Sequence, residues 1–336
     1  MFDINQPIAL WLSLVFMVGG LLTLGWSADR FVDAAARLAR RLGMSPLIVG
    51  MVIIGFGTSA PELAVSALSG LSGHASLSMG NAYGSCIFNV CAILGVTALV
   101  KPVRVKAGTF AGALVLAVLA AISWLLLADK SFSRADGLIL LVVFAVVFPA
   151  YGYFDHRLNP PAVENESGDK PIEGAVLTDV VWLLAGLGLL MGSSHVLVWG
   201  CVDFARDVLH VGDLVIGLTI VAVGTSLPEL ASAIASARRG ENELVVGNIV
   251  GSNLFNTLAV VGIAGSISPP QGAFSPYILV RDLPLMVGIS LLLFYFGVNR
   301  GRNQRPGDIV KWEGTVLLAI YLVYLGVMIA QETGHL

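Results

Sequence analysis

The sequence predicts an all-α membrane protein, with ten transmembrane helices arranged as two inverted five-helix repeats. Three observations lead there. The 336 residues are 56% hydrophobic and only 12% charged, about half the charge of an ordinary soluble chain. Apolar stretches close to the ~20 residues that cross a bilayer recur from end to end. A block of small and polar residues in the first half also returns in the second at constant spacing.

Ten candidate spans follow in order, at about 7–27, 46–70, 78–100, 108–128, 137–154, 179–200, 213–237, 244–266, 283–298 and 312–330. Several are rich in small residues, which lets helices approach closely in lipid. The opening Met1-Phe2-Asp3-Ile4-Asn5 lacks the basic region and cleavage site of a signal peptide, so the first apolar run is expected to be a retained span. The stretch 155–178 breaks the apolar pattern with Pro160-Pro161, Glu164, Asn165, Glu166, Gly168 and Asp169. It reads as a solvated cytoplasmic linker. It divides the first repeat, 1–154 with spans one to five, from the second, 179–336 with spans six to ten.

Orientation follows from Lys and Arg, which concentrate in cytoplasmic loops. With the N-terminus outside, 15 of the 19 basic residues fall in inside loops and 4 in outside loops. The expected location is a cell inner membrane, crossed many times, with both termini outside the cytoplasm. A net charge of −3 without a basic run gives no sign of nucleic-acid binding. Cys86, Cys91 and Cys201 show no C-x-x-C spacing, which argues against a disulfide framework or a zinc site. They are expected to be small buried hydrophobes.

The repeat is explicit. Gly57-Thr58-Ser59-Ala60-Pro61-Glu62-Leu63-Ala64 returns 167 residues later as Gly224-Thr225-Ser226-Leu227-Pro228-Glu229-Leu230-Ala231. The same offset takes Gly80-Asn81-Ala82-Tyr83-Gly84-Ser85-Cys86-Ile87-Phe88-Asn89 onto Gly247-Asn248-Ile249-Val250-Gly251-Ser252-Asn253-Leu254-Phe255-Asn256. From 57 to 95 there are 18 identities in 39 positions without a gap. Many are Thr, Ser, Pro, Glu and Asn, which shared apolarity does not explain. Five spans per unit is an odd number, so the second copy must sit upside down. Inverted repeats are a secondary-transporter architecture, with the site near the midplane where interrupted helices meet.

The repeated residues carry chemistry. A carboxylate at mid-bilayer costs at least ~2.5–3.5 kcal/mol on insertion scales, so Glu62 and Glu229 need a reason to be there. A lone Glu can be satisfied by neighbouring hydroxyls; two at equivalent positions point to function. Pro61 and Pro228 precede them, and each removes the helical partner of a carbonyl four residues back, at Gly57 and Gly224. Neighbouring carbonyls, those of Thr58 and Thr225 included, are loosened too. Unpaired backbone at that depth is tolerated only inside protein or beside a water-filled site. Around the carboxylates stand the hydroxyls of Thr58, Ser59, Ser85, Thr225, Ser226 and Ser252, and the amides of Asn89 and Asn256. Ser and Thr often bond back to their own helix, and Asn89 and Asn256 could equally bridge helices. Asn81 and Asn248 read as structural, and His195 reads as a satisfied packing residue. Taken together, these groups form a two-fold set of oxygens with two negative charges, suited to hard cations such as Ca²⁺ and Na⁺.

The motifs G-T-S-x-P-E-L and G-N-x-x-G-S-x-x-F-N resemble the two alpha repeats of the sodium/calcium exchangers, within the cation/calcium antiporter superfamily. The likeness is greatest to prokaryotic members. It implies a secondary active antiporter that exchanges sodium for calcium by alternating access at a shared midplane site. Glu62 and Glu229 would bind Ca²⁺ and the competing Na⁺ ions, and Thr58 and Thr225 would offer backbone carbonyls to Ca²⁺. Ser59, Ser85, Ser226 and Ser252 would serve outer Na⁺ sites, together with the carbonyls of Gly55 and Ala222. Asn89 and Asn256 would complete the central site, and the first and sixth spans would slide against the remaining bundle. The G-T-S-x-P-E form favours sodium over proton coupling. The chain departs from the pattern in two places. Asn256 stands where several relatives have Asp, and Cys86 stands where the second repeat has Asn253.

Neither a catalytic residue nor a resident cofactor is expected. Ca²⁺, Na⁺ and the lipid bilayer are the expected partners, with no nucleic acid and no protein partner implied. Three alternatives stay open: a cation/proton antiporter on the same scaffold, an intramembrane enzyme using two carboxylates, and a passive channel.

Overall fold

A computed structural model describes residues 10–64, 75–105, 111–158, 175–209, 220, 222–267, 269, 274–298 and 307–332. Among them, seven helices are long and apolar enough to cross a membrane, and two shorter apolar helices, Pro46–Thr58 and Gly112–Leu126, accompany them. The chain is thus an all-helical membrane protein.

Two very long helices pair on one flank. Helix α1 (Leu10–Leu42) runs far beyond the expected 7–27. Apolarity marks where lipid covers a helix, not where the helix stops. Past residue 27 the charges of α1 find partners, as in the i,i+4 pair of Asp33 and Arg37. The helix ends only at Gly43, whose φ of 61° is the left-handed stop that glycine supplies. Its partner is the 32-residue helix Val176–Asp207. A Cβ at Gly20 would lie 2.9 Å from that of Leu197, and one at Gly186 3.0 Å from the Cα of Phe31. As residue numbers rise on one helix they fall on the other, so the pair is antiparallel. At 1.5 Å per residue each helix is about 50 Å long, against a hydrocarbon core of ~30 Å.

The bundle beside this pair has two central columns. One is α2 (Pro46–Thr58) against the helix Asn242–Leu254, with almost no side chain between them. A Cβ at Gly247 would meet the Leu47 carbonyl oxygen at 2.3 Å, and one at Gly50 the Leu244 oxygen at 2.8 Å. The other is α3 (Ala75–Phe88), which continues through a π-helical turn, Asn89–Ile93, into α4 (Leu94–Val100). Its second-half counterpart is the helix Asn242–Leu254, the π turn Phe255–Val260 and the helix Val261–Ile267. Tyr83, Ile87, Leu94, Leu254 and Leu258 pack together at the centre of the largest core cluster. The 18-residue apolar window of Asn242–Ile267 is wholly buried, so this stretch of the column is enclosed by protein.

Around the centre lie α5 (Ala111–Leu126) and α6 (Arg134–Leu158). In chain order there follow α7 (Val176–Asp207), α8 (Ala222–Thr225), α9 (Leu227–Arg239), α10 (Asn242–Leu254) and α11 (Val261–Ile267). Helices α12 (Leu283–Val298) and α13 (Lys311–Glu332) complete the set. The ninth expected span, 283–298, gains a leading π turn, Ile278–Asp282. Arg281 bonds the adjacent Asp282 there, Nε to Oδ1 at 2.6 Å, which lets a charged residue extend the helix. Of the linker expected at 155–178, helix α6 takes the first residues and α7 the last, and 159–174 lie outside the described residues.

One end of the bundle is tied by polar contacts that the sequence did not reveal. The strands β1 (Val103–Val105) and β2 (Gly307–Ile309) pair antiparallel, Arg104 opposite Asp308. Asp179 receives the Nε of Arg37 at 2.6 Å and that of Arg41 at 2.7 Å. Arg40 reaches Glu241 at 3.1 Å, Arg239 reaches Asp33 at 2.7 Å, and the Lys101 ammonium donates to the Arg238 carbonyl at 3.0 Å. Segments near residues 40, 101, 179, 240 and 308 therefore meet at one end. These are the loops that the basic-residue count puts on one side.

Candidate functional site

Both proline-bearing helices break at the same point. In the first half α2 ends at Thr58, and Ser59 takes φ −85° and ψ 3° before the helix resumes over 60–64. In the second half Ser226 takes φ −99° and ψ 11° between α8 and α9. Pro228 then lies in the first turn of α9, where its missing N–H is no loss. Glu229 shares that first turn, where the helix dipole favours a negative charge. The sequence argument left the Gly224 carbonyl unpaired. The structure gives it a partner: the Ser194 hydroxyl of α7 donates to it at 2.9 Å.

The break brings the two carboxyl groups together. Glu62 and Glu229 are 1% and 2% exposed, and Glu229 lies close enough for its charge to act on Glu62. Ser59 Oγ crosses from the first half to donate to Glu229 Oε1 at 3.2 Å. The Thr58 hydroxyl bonds back to the Ile54 carbonyl at 3.0 Å.

The other expected residues lie on the broken helices or on the two central columns. Ser85, Asn89, Ser226, Ser252 and Asn256 are all buried, and Thr225 is half-buried at the end of α8. Gly55 lies at the end of a π turn over Gly50–Gly55, and its carbonyl already accepts from Ser59 N at 3.1 Å and Ser252 Oγ at 3.4 Å. Ala222 opens α8. Asn89 and Asn256 both sit in π turns, Asn89–Ile93 and Phe255–Val260. Such turns are rare and concentrate at functional sites; sequence reasoning did not foresee them.

Besides hydroxyls such as those of Ser78, Thr97 and Ser236 and the amide oxygen of Asn242, four buried carboxylate or amide oxygens at positions shared by the repeat have no hydrogen-bond partner among the described residues: Glu62 Oε2, Glu229 Oε2, Asn89 Oδ1 and Asn256 Oδ1. They are two pairs related by the 167-residue offset. A buried acceptor left unmet costs about 1–3 kcal/mol, more when charged, so this grouping is chemically pointed. All four are hard acceptors, the donor type that Ca²⁺ and Na⁺ take.

The model of the sodium/calcium exchanger protein family matches residues 12–148 and 178–330. The chain belongs to the sodium/calcium exchanger family. Among relatives in this family, CaxA of Alkalimonas amylolytica, named as a candidate antiporter, is 39% identical over 92% of this chain and 96% of its own. The inner membrane protein YrbG of Escherichia coli K12 is 34% identical over 94% and 97%. Solved structures of the sodium-calcium exchanger NCX_Mj also match, one with a TM-score of 0.79 and 29% identity over 95% of this chain and 99% of that one.

Within this exchanger-family chain, several polar residues near the site escaped the sequence reading. Asn248, read as structural, is a hub. Its Nδ2 donates to the Glu229 carbonyl at 3.3 Å and to Ser232 Oγ at 3.2 Å. Its Oδ1 lies 3.5 Å from the hydroxyl oxygens of both Thr58 and Ser252. Ser232 donates onward to the Pro228 carbonyl at 2.9 Å. The signal that could have found Ser232 is its position, one turn past Pro228 on the Glu229 helix. His195, expected to be satisfied, has an Nε2 without a hydrogen-bond partner among the described residues.

Proposed function

We propose that the chain is a secondary active antiporter that exchanges sodium for calcium at the site around Glu62 and Glu229, by alternating access. The observation that carries this reading is the two-fold set of unpartnered buried oxygens, two carboxylate and two amide. Two carboxylates balance one Ca²⁺, and amide and carbonyl oxygens extend the shell toward the 6–8 ligands this ion takes. Several Na⁺ ions would compete for the same carboxylates, so occupancy by one cation excludes the other. That mutual exclusion couples two gradients once the site opens to each side in turn. Family membership and the sodium-calcium exchanger named among the structural matches support the same assignment.

The remaining ligands of the proposal are the backbone carbonyls of Thr58 and Thr225, the hydroxyls of Ser59, Ser85, Ser226 and Ser252, and the carbonyls of Gly55 and Ala222. The ten-span reading in two inverted halves, 1–154 and 179–336 around a cytoplasmic linker, belongs to the same proposal. So does placement in an inner membrane with both termini outside. The meeting of five basic-rich segments at one end of the bundle supports that orientation.

Purified protein in liposomes tests the exchange. An outward Na⁺ gradient should drive radiolabelled Ca²⁺ uptake, and Glu62→Gln or Glu229→Gln should abolish it. Near-normal flux in either variant, or uptake driven by a pH gradient without Na⁺, would overturn the assignment.

A further inference from the structure

Asn89 and Asn256 occupy equivalent places in the repeat, yet their surroundings differ, and the difference starts from the one break in the motif. On the Asn89 side, Asn253 Nδ2 donates to the backbone carbonyl of Cys86 at 3.3 Å. A carbonyl can only accept, so Asn253 must turn its amino group there. Its Oδ1 then faces Asn89, and the bond to Asn89 Nδ2 is 3.0 Å. An amide oxygen can only accept as well, so Asn89 must present its amino group to Asn253. Its own Oδ1 is left pointing away, buried and unpartnered among the described residues. Chemistry, not packing alone, fixes which end of the Asn89 amide is offered.

The 167-residue offset puts Cys86 where Asn253 stands and Asn256 where Asn89 stands. Cys86 keeps half of the arrangement: its thiol lies 3.8 Å from the Asn253 carbonyl, the mirror of the Asn253–Cys86 bond. The other half is missing. In place of an amide oxygen, Cys86 has a sulfur that lies 3.4 Å from Thr257 Oγ1, so among the described residues no group equivalent to Asn253 Oδ1 holds Asn256.

We infer that Asn253 is a positioning residue that locks the Asn89 amide with its oxygen toward the cation, and that Cys86 leaves the Asn256 amide unlocked. The inference rests on the exchanger reading above, and it makes the two halves of the site unequal. One amide is a preset ligand. The other can swing, so one side of the site adapts between a divalent ion and monovalent ones. An unlocked Asn89 would be free to turn its amino group to a nearby acceptor. The π turn that carries Asn89 packs on α9, which opens with Leu227-Pro228-Glu229. Cation binding would then have to break that hydrogen bond and turn the amide back first, which weakens it by about tenfold.

A double-mutant cycle tests this, read by equilibrium binding of radiolabelled Ca²⁺ to purified protein and, in parallel, by Na⁺-driven flux. Asn253→Ala should weaken Ca²⁺ binding about tenfold in the parent. In an Asn89→Asp background the loss should shrink to about twofold or less, because a carboxylate offers an oxygen whichever way it turns. Equal losses in both backgrounds would mean that Asn253 acts only through packing, and would overturn the proposal. Cys86→Asn supplies a second arm that adds a partner instead of removing one. It should tighten Ca²⁺ binding severalfold, and the gain should vanish in an Asn256→Asp background; no gain would count against the unlocked amide. Coupled binding losses without Na⁺-driven flux would remove the exchange reading and keep the lock. A parent protein that binds no Ca²⁺ would remove both.

Discussion

The contact between α2 and α10 gives the sharpest test of the fold around the site. Consider Gly247→Ala. The added methyl carbon would sit 2.3 Å from the Leu47 carbonyl oxygen and 2.9 Å from the Gly50 Cα. Even a favourable carbon–oxygen contact needs about 3.3 Å, so the helices must part by about 1 Å. Backbone lies on both sides, and no side chain can rotate away. Overpacking of this kind costs about 1–3 kcal/mol, which lowers the midpoint of thermal unfolding by about 2–6 °C. The damage reaches the site as well, because α2 ends at Thr58 and α10 carries Asn248. The control is Gly188→Ala on α7, where a Cβ would meet nothing within 4 Å; it should match or slightly exceed the parent in stability. Both are compared by heating the detergent-solubilised protein and following the monodisperse fraction by size-exclusion chromatography, with Ca²⁺ flux measured alongside. If Gly247→Ala unfolds at the parent temperature and transports normally, the two helices do not touch there and the account of the central column is wrong.

Two further outcomes follow from the polar end of the bundle. Asp179→Asn should cost about 3 kcal/mol, since it removes the charge of the buried carboxylate that Arg37 and Arg41 share, although Arg37 keeps its pair with Asp33. The figure sits at the low end because Arg37 and Arg41 keep 25% and 16% exposure; an unchanged unfolding midpoint would show that water screens them. Arg104→Cys with Asp308→Cys, opposite each other in the strand register, should cross-link under mild oxidation, visible as a mobility shift that a reductant reverses. Absence of the cross-link would separate the two loops and undo the reading that they share one side.

Much of this was legible in the residues. The repeat singled out Ser59 and Glu229, which bond across the two halves, because polar residues inside apolar spans are costly and stand out. Helix ends were less legible. Hydropathy placed the end of the first span near 27, while α1 continues to Leu42 on ion pairs with residues 138 to 206 positions away. Such pairs have no local signature. The hydrogen bonds of Asn248 and Asn253 were hidden for the same reason, since an amide in a helix looks alike whether it faces a carbonyl or a hydroxyl. The π turns at Asn89 and Phe255 leave no mark in composition, and the ribbon of Val103–Val105 with Gly307–Ile309 is too short to show a strand pattern.

The site is also stitched across the two halves. Ser59 reaches Glu229, Thr58 reaches Asn248 and Asn89 reaches Asn253, over separations of 170, 190 and 164 residues. At ribosomal rates of 5–20 residues per second, the first half waits in the bilayer for roughly 10–35 seconds before its counterpart exists. Through that interval Glu62 and the bare glycine edge of α2 are without the surfaces that later cover them. Biogenesis, not only transport, therefore depends on how the membrane and its insertion machinery shelter a half-made protein.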